Sequence, residues 1–355
     1  MSKTILHVIE SLVIGGAEVL LVESLKGFTA EYRHVVVYMR PPATLLSQVV
    51  ADKIYFLDYK VKRNIATCIL RLRKIIRNEG VNLIHAHHYW PTVVSRLAKP
   101  NNVPLLFTVH SPLSADAFQL NRLSLYLERL TYSKSHHPVF ISEAVKSDYN
   151  RYVSVKGSSS VILNFAGDIF YEHQYKKENY TSDSLHLVAV GTLKASKNYS
   201  YLLKVFSLLK DYPVYLDIVG DGPCLEQIKE ELKAHELENV VLRGLETQPY
   251  KILRNYDGFI LASTYEGFGI AAVEAMAVGL PCLLSDIEAH REVAGDAALF
   301  FDLASPSDCA AKTLELLQSP ILGQKLSERA RERALKYTRS RYLEQLNKLY
   351  RLYLS

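Results

Sequence analysis

Tyr265-Glu266-Gly267-Phe268-Gly269-Ile270-Ala271-Ala272-Val273-Glu274-Ala275-Met276-Ala277-Val278-Gly279 is the stretch that decides the fold. Ahead of it, Asp257 to Ser263 is a short apolar run of buried-strand character, and behind it Pro281 to Asp286 is another. Between them Ile270 to Val278, rich in Ala, Met and Glu, reads as a helix stopped by Gly279 and Pro281. Strand, loop, helix and strand in that order predict a parallel β-α-β unit. The loop Glu266 to Gly269 therefore delivers the chain to a helix N-terminus, where unpaired N–H groups and the positive dipole end attract an anion. Its two glycines let a phosphate approach the backbone. Glu274, about one turn inside, and Glu266, in the loop, can accept hydrogen bonds from the vicinal hydroxyls of a ribose or sugar. A phosphate seat with a carboxylate on each side points to a nucleotide-sugar. A Gly-x-Gly loop by itself fits plain turn chemistry and a solvated helix face equally well.

At 355 residues the chain is long enough for two domains, each with its own core. With 48% apolar and 22% charged residues the composition is that of a soluble globular protein. A net charge of +5 falls short of a dedicated nucleic-acid binder, so no nucleic-acid partner is expected; it favours phosphorylated ligands or an anionic membrane surface. Cys68, Cys224, Cys282 and Cys309 form no Cys-x-x-Cys pair and read as small buried hydrophobes in a reducing cytoplasm. Met1 runs almost directly into a strand, Ile5 to Ile9, with no signal-peptide stretch, and no apolar run approaches the ~20 residues of a membrane span. The expected location is the cytoplasm, with any membrane contact peripheral, at the inner face.

Strands are expected at Ile5–Ile9, His34–Met39, Ile54–Leu57, Leu83–His87, Leu105–His110, Val139–Ser142 and Val161–Leu163. Amphipathic helices at Ala17–Lys26, Ile65–Arg77, Leu123–Ser133 and Glu143–Tyr152 alternate with them, which predicts a doubly wound parallel sheet. From Phe165 to Ser184 the sequence turns polar (Glu172, His173, Lys176, Lys177, Glu178, Asn179) and the rhythm stops, which places a domain boundary there. It resumes at Leu187–Val190, Tyr215–Val219, Val240–Leu242, Phe259–Ala262, Cys282–Leu284 and Leu299–Phe301, so a second domain repeats the first. Ile321 to Leu354 reads as helical and charged with a Tyr-rich end. Neither a solenoid repeat nor a low-complexity tract stands out.

Glu266, seven intervening residues and Glu274, with Gly-Phe-Gly inside and a strand ending in Ala-Ser ahead, resemble the Glu-x7-Glu signature of the retaining GT-B glycosyltransferases known as group 1, or family four. His7 to Glu18, containing Ile14-Gly15-Gly16-Ala17, is similar to the same family's amino-terminal motif, whose glycine loop faces the donor phosphates and the acceptor. That run is not Gly-x-Gly-x-x-Gly, and Arg40-Pro41-Pro42 stands where a dehydrogenase would want an acid. In Gly191-Thr192-Leu193-Lys194-Ala195-Ser196-Lys197-Asn198, Lys197 resembles the family's phosphate-binding lysine; Thr192 stands where the family carries an arginine, and Lys194 could replace that charge. Val219 to Pro223 resembles the family's Gly-x-Gly-Pro turn near the nucleotide, though it also reads as an ordinary strand-ending turn. Val241-Leu242-Arg243-Gly244 resembles the segment whose backbone reads the base, and His110 matches the histidine beside the donor sugar.

The resemblance implies an α/β, GT-B architecture: two tandem doubly wound parallel-sheet (Rossmann-like) domains, residues 1–165 and 166–336, with an interdomain cleft and a helix, 337–355, crossing back onto the first. It implies catalytic roles for His110, Glu266 and Lys197, and donor contacts from Gly15, Gly16, Thr192, Lys194, Lys197, Gly220, Arg243, Gly267, Phe268, Gly269, Ile270 and Glu274. The implied reaction moves a sugar, with retention, from a nucleoside diphosphate-sugar to a hydroxyl of a glycan or lipid-linked acceptor, as in cell-surface polysaccharide synthesis. No cofactor and no metal are expected. His85, His87 and His88 raise a metal reading, but alternation puts His88 on the opposite face and no Asp or Cys completes a set. Ile65–Arg77, with Arg71, Arg73, Lys74 and Arg77, fits either an anionic bilayer face or a sheet-covering helix with a basic solvated side. A sugar-nucleotide 2-epimerase of the same fold and an inactive nucleotide-sugar binder remain alternatives.

Overall fold

The computed structural model describes residues 2–28, 31–60, 63–115, 121–172 and 183–355. The chain forms two compact units, Met1–Asn164 with Arg339–Ser355, and Phe165–Thr338. In the polar stretch, His173, Lys176, Lys177, Glu178 and Asn179 lie outside the described residues.

The first unit is built on β1 (Lys3–Ile9), β2 (Tyr32–Tyr38), β3 (Lys53–Phe56), β4 (Leu83–His87), β5 (Leu105–Val109), β6 (His136–Phe140) and β7 (Ser160–Val161). They form one sheet in the order β3-β2-β1-β4-β5-β6-β7, parallel throughout. A parallel sheet is covered by helices on both faces, so its strands read as continuous apolar runs; β1 is buried from Thr4 to Ile9. The second unit repeats the plan with β8 (Leu185–Val190), β9 (Val214–Val219), β10 (Val240–Gly244), β11 (Gly258–Leu261), β12 (Cys282–Ser285) and β13 (Ala298–Phe301), in the order β10-β9-β8-β11-β12-β13. Each sheet reverses its winding at one seam, between β1 and β4 and between β8 and β11. The crevice outside the carboxyl ends of the strands at such a seam is where open α/β sheets bind ligands.

Three elements differ from the sequence reading. The sixth strand begins at His136, three residues before the expected Val139, because His136-His137-Pro138 looks polar but is buried. Burial lowers both imidazoles to about 4, and His137 bonds Ser160 Oγ at 2.9 Å. The helix Tyr89–Ala98 was not anticipated; Pro91 sits in its first turn, where the missing N–H has no intrahelical partner to lose. The carboxy-terminal segment is two helices, Pro320–Ala334 and Arg339–Leu354. Tyr337 interrupts them by turning inward, its hydroxyl donating to the Val293 carbonyl at 2.9 Å.

Helix Arg339–Leu354 buries Tyr342, Leu343, Leu346, Leu349 and Tyr350, and Tyr350 Oη lies 2.6 Å from His85 Nδ1 in β4. Helix Ile65–Asn78 buries Cys68, Leu72 and Ile76 against its own sheet. Two of its cations are tied to backbone: Arg71 reaches the Leu57 carbonyl at 3.4 Å, and Arg73 caps helix Tyr89–Ala98 at the Leu97 and Ala98 carbonyls. That geometry favours the sheet-covering reading of this helix. No helix among the described residues is long and apolar enough to cross a membrane.

The same unit encloses an ion pair, Arg96 donating to Glu128 at 2.7 and 2.8 Å, with Tyr149 donating to Glu128 Oε1 at 2.5 Å. The guanidinium also lies 4.4 Å from the centroid of Phe107. Removing one charge would leave the other buried and unpaired, which costs about 3–5 kcal/mol. Glu128→Gln is expected to lose about that much in a urea unfolding titration, whereas a loss under about 1 kcal/mol would show that the pair is not enclosed.

Candidate active site

In the second unit the loops after β8 and β11 meet at the seam of the sheet. The loop after β8 makes a single short turn, Ala195–Lys197, and Asn198, at φ 53°, redirects the chain into helix Tyr199–Leu208. The loop after β11 runs past Ser263 and Glu266 to Gly269, the N-cap of helix Ile270–Val278. Gly269 has φ +92°, which side-chain-bearing residues adopt only with strain, and no side chain caps this helix. Thr264 N donates to the Ser196 carbonyl at 2.8 Å, stitching the two loops together.

Lys197 Nζ donates to Glu266 Oε1 at 2.5 Å, and the Ser263 hydroxyl donates to the same oxygen at 2.7 Å. Their side chains are 11% and 14% exposed, so the pair is largely withdrawn from water. Burial alone would raise the Glu266 carboxyl, but the Lys197 ammonium beside it holds it below its ordinary value. Among the described residues no ion pair holds Glu274. Burial pushes its carboxyl up to about 8, with Lys197 pulling weakly the other way. The same lysine thus favours the ionised form of Glu266, while burial favours the protonated form of Glu274.

Not every expected contact offers its side chain. Phe268 is buried and meets Tyr337 edge-on, so it anchors the loop from below and leaves only backbone to a ligand. Gly267 precedes it in the loop, and Ile270 is the first residue of the helix. Gly220 packs so tightly on the neighbouring loop that a Cβ there would lie 2.0 Å from the Gly191 carbonyl oxygen. That close approach accounts for the glycine without any ligand. Arg243 is tied up as well: Nε donates to Asp217 Oδ2 at 2.7 Å, and the Tyr256 hydroxyl donates to the same atom at 2.7 Å. Thr192 and Lys194 are exposed on the loop surface.

Sequence reasoning missed His290. Its Nδ1 lies 3.0 Å from the Ser285 carbonyl, and its ring packs 3.5 Å from where a Cβ on Gly269 would stand. Burial lowers its pKa, with Glu266 opposing. Ile287 to Ala294 carries no signal beyond ordinary helix patterning, so only the fold brings this imidazole beneath the loop.

In the first unit, Gly15 is the N-cap and Gly16 the first residue of helix Gly16–Gly27, with Glu18 buried in the first turn. Burial raises the Glu18 carboxyl, and its own backbone N–H partly offsets this. His110 follows β5, its Nε2 3.2 Å from His87 Nδ1. Pairing of β1 with β4 sets His7 beside His85, so that ligating atoms of His7, His85 and His87 lie within 4.8 Å of one another. The metal reading from sequence named His85, His87 and His88 and not His7, because strand register cannot be seen in one segment. Both nitrogens of His85 are occupied, by Tyr350 at 2.6 Å and Thr108 at 2.8 Å, leaving His7 Nδ1 and His87 Nε2 without partners among the described residues. Burial lowers all three imidazoles, His85 to about 3.

The protonated Glu274 makes stability depend on pH. In the unfolded chain this carboxyl ionises from about pH 4.5, but in the fold it keeps its proton to about 8, so the folded state binds more protons between those values. Its contribution is full below the lower value and is lost as pH rises through the upper one. Glu274→Gln, which stays neutral, is expected to melt above wild type at pH ~8.5 and to lose that advantage near pH ~4.5. Parallel melting curves for the two proteins across this range would contradict the assignment.

The model of the "Glycosyl transferases group 1" family matches residues 171–333, and that of "Glycosyltransferase Family 4" matches residues 14–166. N-acetyl-alpha-D-glucosaminyl L-malate synthase of Bacillus anthracis is 24% identical over 287 residues, 76% of this chain and 74% of that protein. A Campylobacter jejuni 4-alpha-N-acetylgalactosaminyltransferase, named for an N-acetylgalactosamine-N,N'-diacetylbacillosaminyl-diphospho-undecaprenol, is 26% identical over 234 residues, 64% of each chain. Among solved structures, Anabaena HepE in complex with UDP and glucose superposes with a TM-score of 0.83 at 16% identity, covering 98% of this chain and 99% of that one. With a family model on each unit, and with both sheets in the GT-B arrangement, the chain belongs to the group 1, family 4 glycosyltransferases.

Proposed function

We propose that this glycosyltransferase moves a hexose-type sugar from a nucleoside diphosphate-sugar to a hydroxyl of a glycan or lipid-linked acceptor, with retention of anomeric configuration and without a divalent cation. The observation that carries the reading is the Lys197–Glu266 pair beside the uncapped N-terminus of helix Ile270–Val278, with Glu274 one turn further on. The relative crystallised with UDP and glucose supports the donor class, and the Campylobacter relative's name supports a lipid-linked acceptor. Synthesis of cell-surface polysaccharide at the cytoplasmic face of the membrane is the corresponding setting.

Departure of the donor diphosphate builds negative charge on phosphate and positive, oxocarbenium-like charge on the sugar carbon, and catalysis means stabilising both. Lys197, with Lys194 near it, and the backbone of Gly267 to Ile270 meet the phosphates. Ionised Glu266 faces the electron-poor sugar, and His110 holds a sugar hydroxyl. Glu274, able to donate as well as accept while protonated, anchors the ribose diol. The departing phosphate oxygen takes the acceptor's proton, so no separate carboxylate base is required. Metal-dependent relatives of such chemistry hold a cation with an acidic cluster, commonly Asp-x-Asp, and this chain contains none.

A melting screen against UDP-, GDP-, ADP- and dTDP-sugars tests the donor class, since a ligand at ~100 times its Kd stabilises by about 2.7 kcal/mol. One nucleotide series is expected to raise the melting temperature, and Lys197→Ala to lower kcat on that donor by ~100-fold or more. Turnover is expected to persist in excess EDTA, and NMR coupling of the product's anomeric proton to match that of the donor. Activity lost in EDTA and restored by Mn²⁺ would overturn the charge assignment, and an inverted product would overturn the retaining mechanism.

A further inference from the structure

β4 ends at His87 and β5 at Val109, and the residues just beyond them, His88 and His110, leave the sheet side by side. The His110 ring lies between two other imidazoles, its centroid 5.4 Å from that of His87 and 5.1 Å from that of His88. His87 Nδ1 and His110 Nε2 are 3.2 Å apart, a hydrogen bond that one of them must donate.

The other nitrogen of His87 decides which. Nε2 is buried and no described group reaches it. Were the ring proton there, a buried N–H would go unmet; with the proton on Nδ1, only a lone pair does. Orphaned buried N–H groups are the rarer of the two, and a neutral imidazole has one donor and one acceptor. His87 is therefore the donor and His110 Nε2 the acceptor. The proton of His110 then sits on Nδ1, the nitrogen that has no partner among the described residues and is left to meet a ligand.

His88 closes the other side at a conformational cost. Its φ of 73° and ψ of 173° fall in a region populated almost exclusively by glycine. The strained carbonyl is held by Thr92, whose hydroxyl donates to it at 2.6 Å. Strain of this kind persists only where the surroundings enforce it, and here the strained residue packs its ring on His110.

We propose that His87 and His88 are positioning residues that fix His110 as a one-way hydrogen-bond donor, presenting Nδ1–H to a hydroxyl of the donor sugar and preventing it from acting as a base. This rests on the reading of His110 as a sugar contact given above.

The test uses the full-length protein labelled with ¹⁵N-histidine, with long-range ¹H–¹⁵N correlation spectra assigned through His110→Gln. At neutral pH His110 is expected to carry its proton on Nδ1 with a bare Nε2. His87→Asn, whose amide nitrogen can take the place of Nδ1–H, is expected to keep that tautomer, and His87→Leu to lose it. On the sugar nucleotide turned over from the UDP-, GDP-, ADP- and dTDP-sugar panel, kcat is expected to fall about tenfold or more in His87→Leu and to recover in His87→Asn. His88→Gly is expected to melt above His88→Ala, because only glycine relieves the strain at this helix N-cap. A wild-type His110 protonated on Nε2, or an unchanged tautomer in His87→Leu, would overturn the proposal, and His88→Ala melting at or above His88→Gly would overturn the role of His88. The underlying reading fails separately: full turnover in His110→Ala, with the wild-type tautomer as stated, removes the sugar contact while leaving the clamp intact.

Discussion

The Lys197–Glu266 ion pair is the constraint on which the second unit's site depends. It joins the loop after β8 to the loop after β11 at the seam where the sheet reverses direction, and it does so nearly out of water. A withdrawn pair of this kind gives little net stability, because desolvation offsets attraction, yet either partner alone would be costly. Its value lies in position. The ammonium is held near an uncapped helix N-terminus, and it keeps the carboxyl below its ordinary value although burial acts to raise it. Glu274, one turn into that helix and outside the ion pair, is pushed the opposite way by burial. One lysine thus separates two glutamates of one motif into different chemical roles.

The first unit organises its polar core differently, with imidazoles in place of ion pairs. His7, His34, His85, His87 and His137 are all buried, and burial keeps each of them neutral. Neutral rings can share single hydrogen bonds, as His7 and His34 do at 3.0 Å and His87 and His110 at 3.2 Å. An enclosed ion pair, Arg96–Glu128, is completed by Tyr149. A metal among His7, His85 and His87 would have to displace one of His85's two bonds and bring an uncompensated charge into this core.

The architecture was legible because parallel strands buried on both faces announce themselves as apolar runs, and because Gly269 and Gly279 bracket one helix with left-handed caps. Misreadings arose where burial overrode residue type. His136-His137-Pro138 is strand because Ser158, Ser160 and Tyr353 satisfy His137, and Tyr89–Ala98 is helix because Pro91 falls where a helix tolerates it. Motif residues could be named from sequence, but not what they touch. The Lys197–Glu266 pair spans 69 positions, His7 reaches β4 through strand register, and His290 arrives beneath Gly269 through the loop between β12 and its helix. Arg243 and Gly220 show the converse, since residues that match a motif have structural work sufficient to explain them.

The central claim is that the donor's diphosphate draws on the same ammonium that Glu266 holds in the free protein. Isothermal titration of the nucleoside diphosphate corresponding to the donor, without its sugar, into wild type, Lys197→Ala and Glu266→Gln tests it directly. Lys197→Ala is expected to bind more weakly than wild type and Glu266→Gln more tightly, because the neutral amide releases the lysine to the phosphates. Equal weakening in both variants, or no change in either, would contradict it.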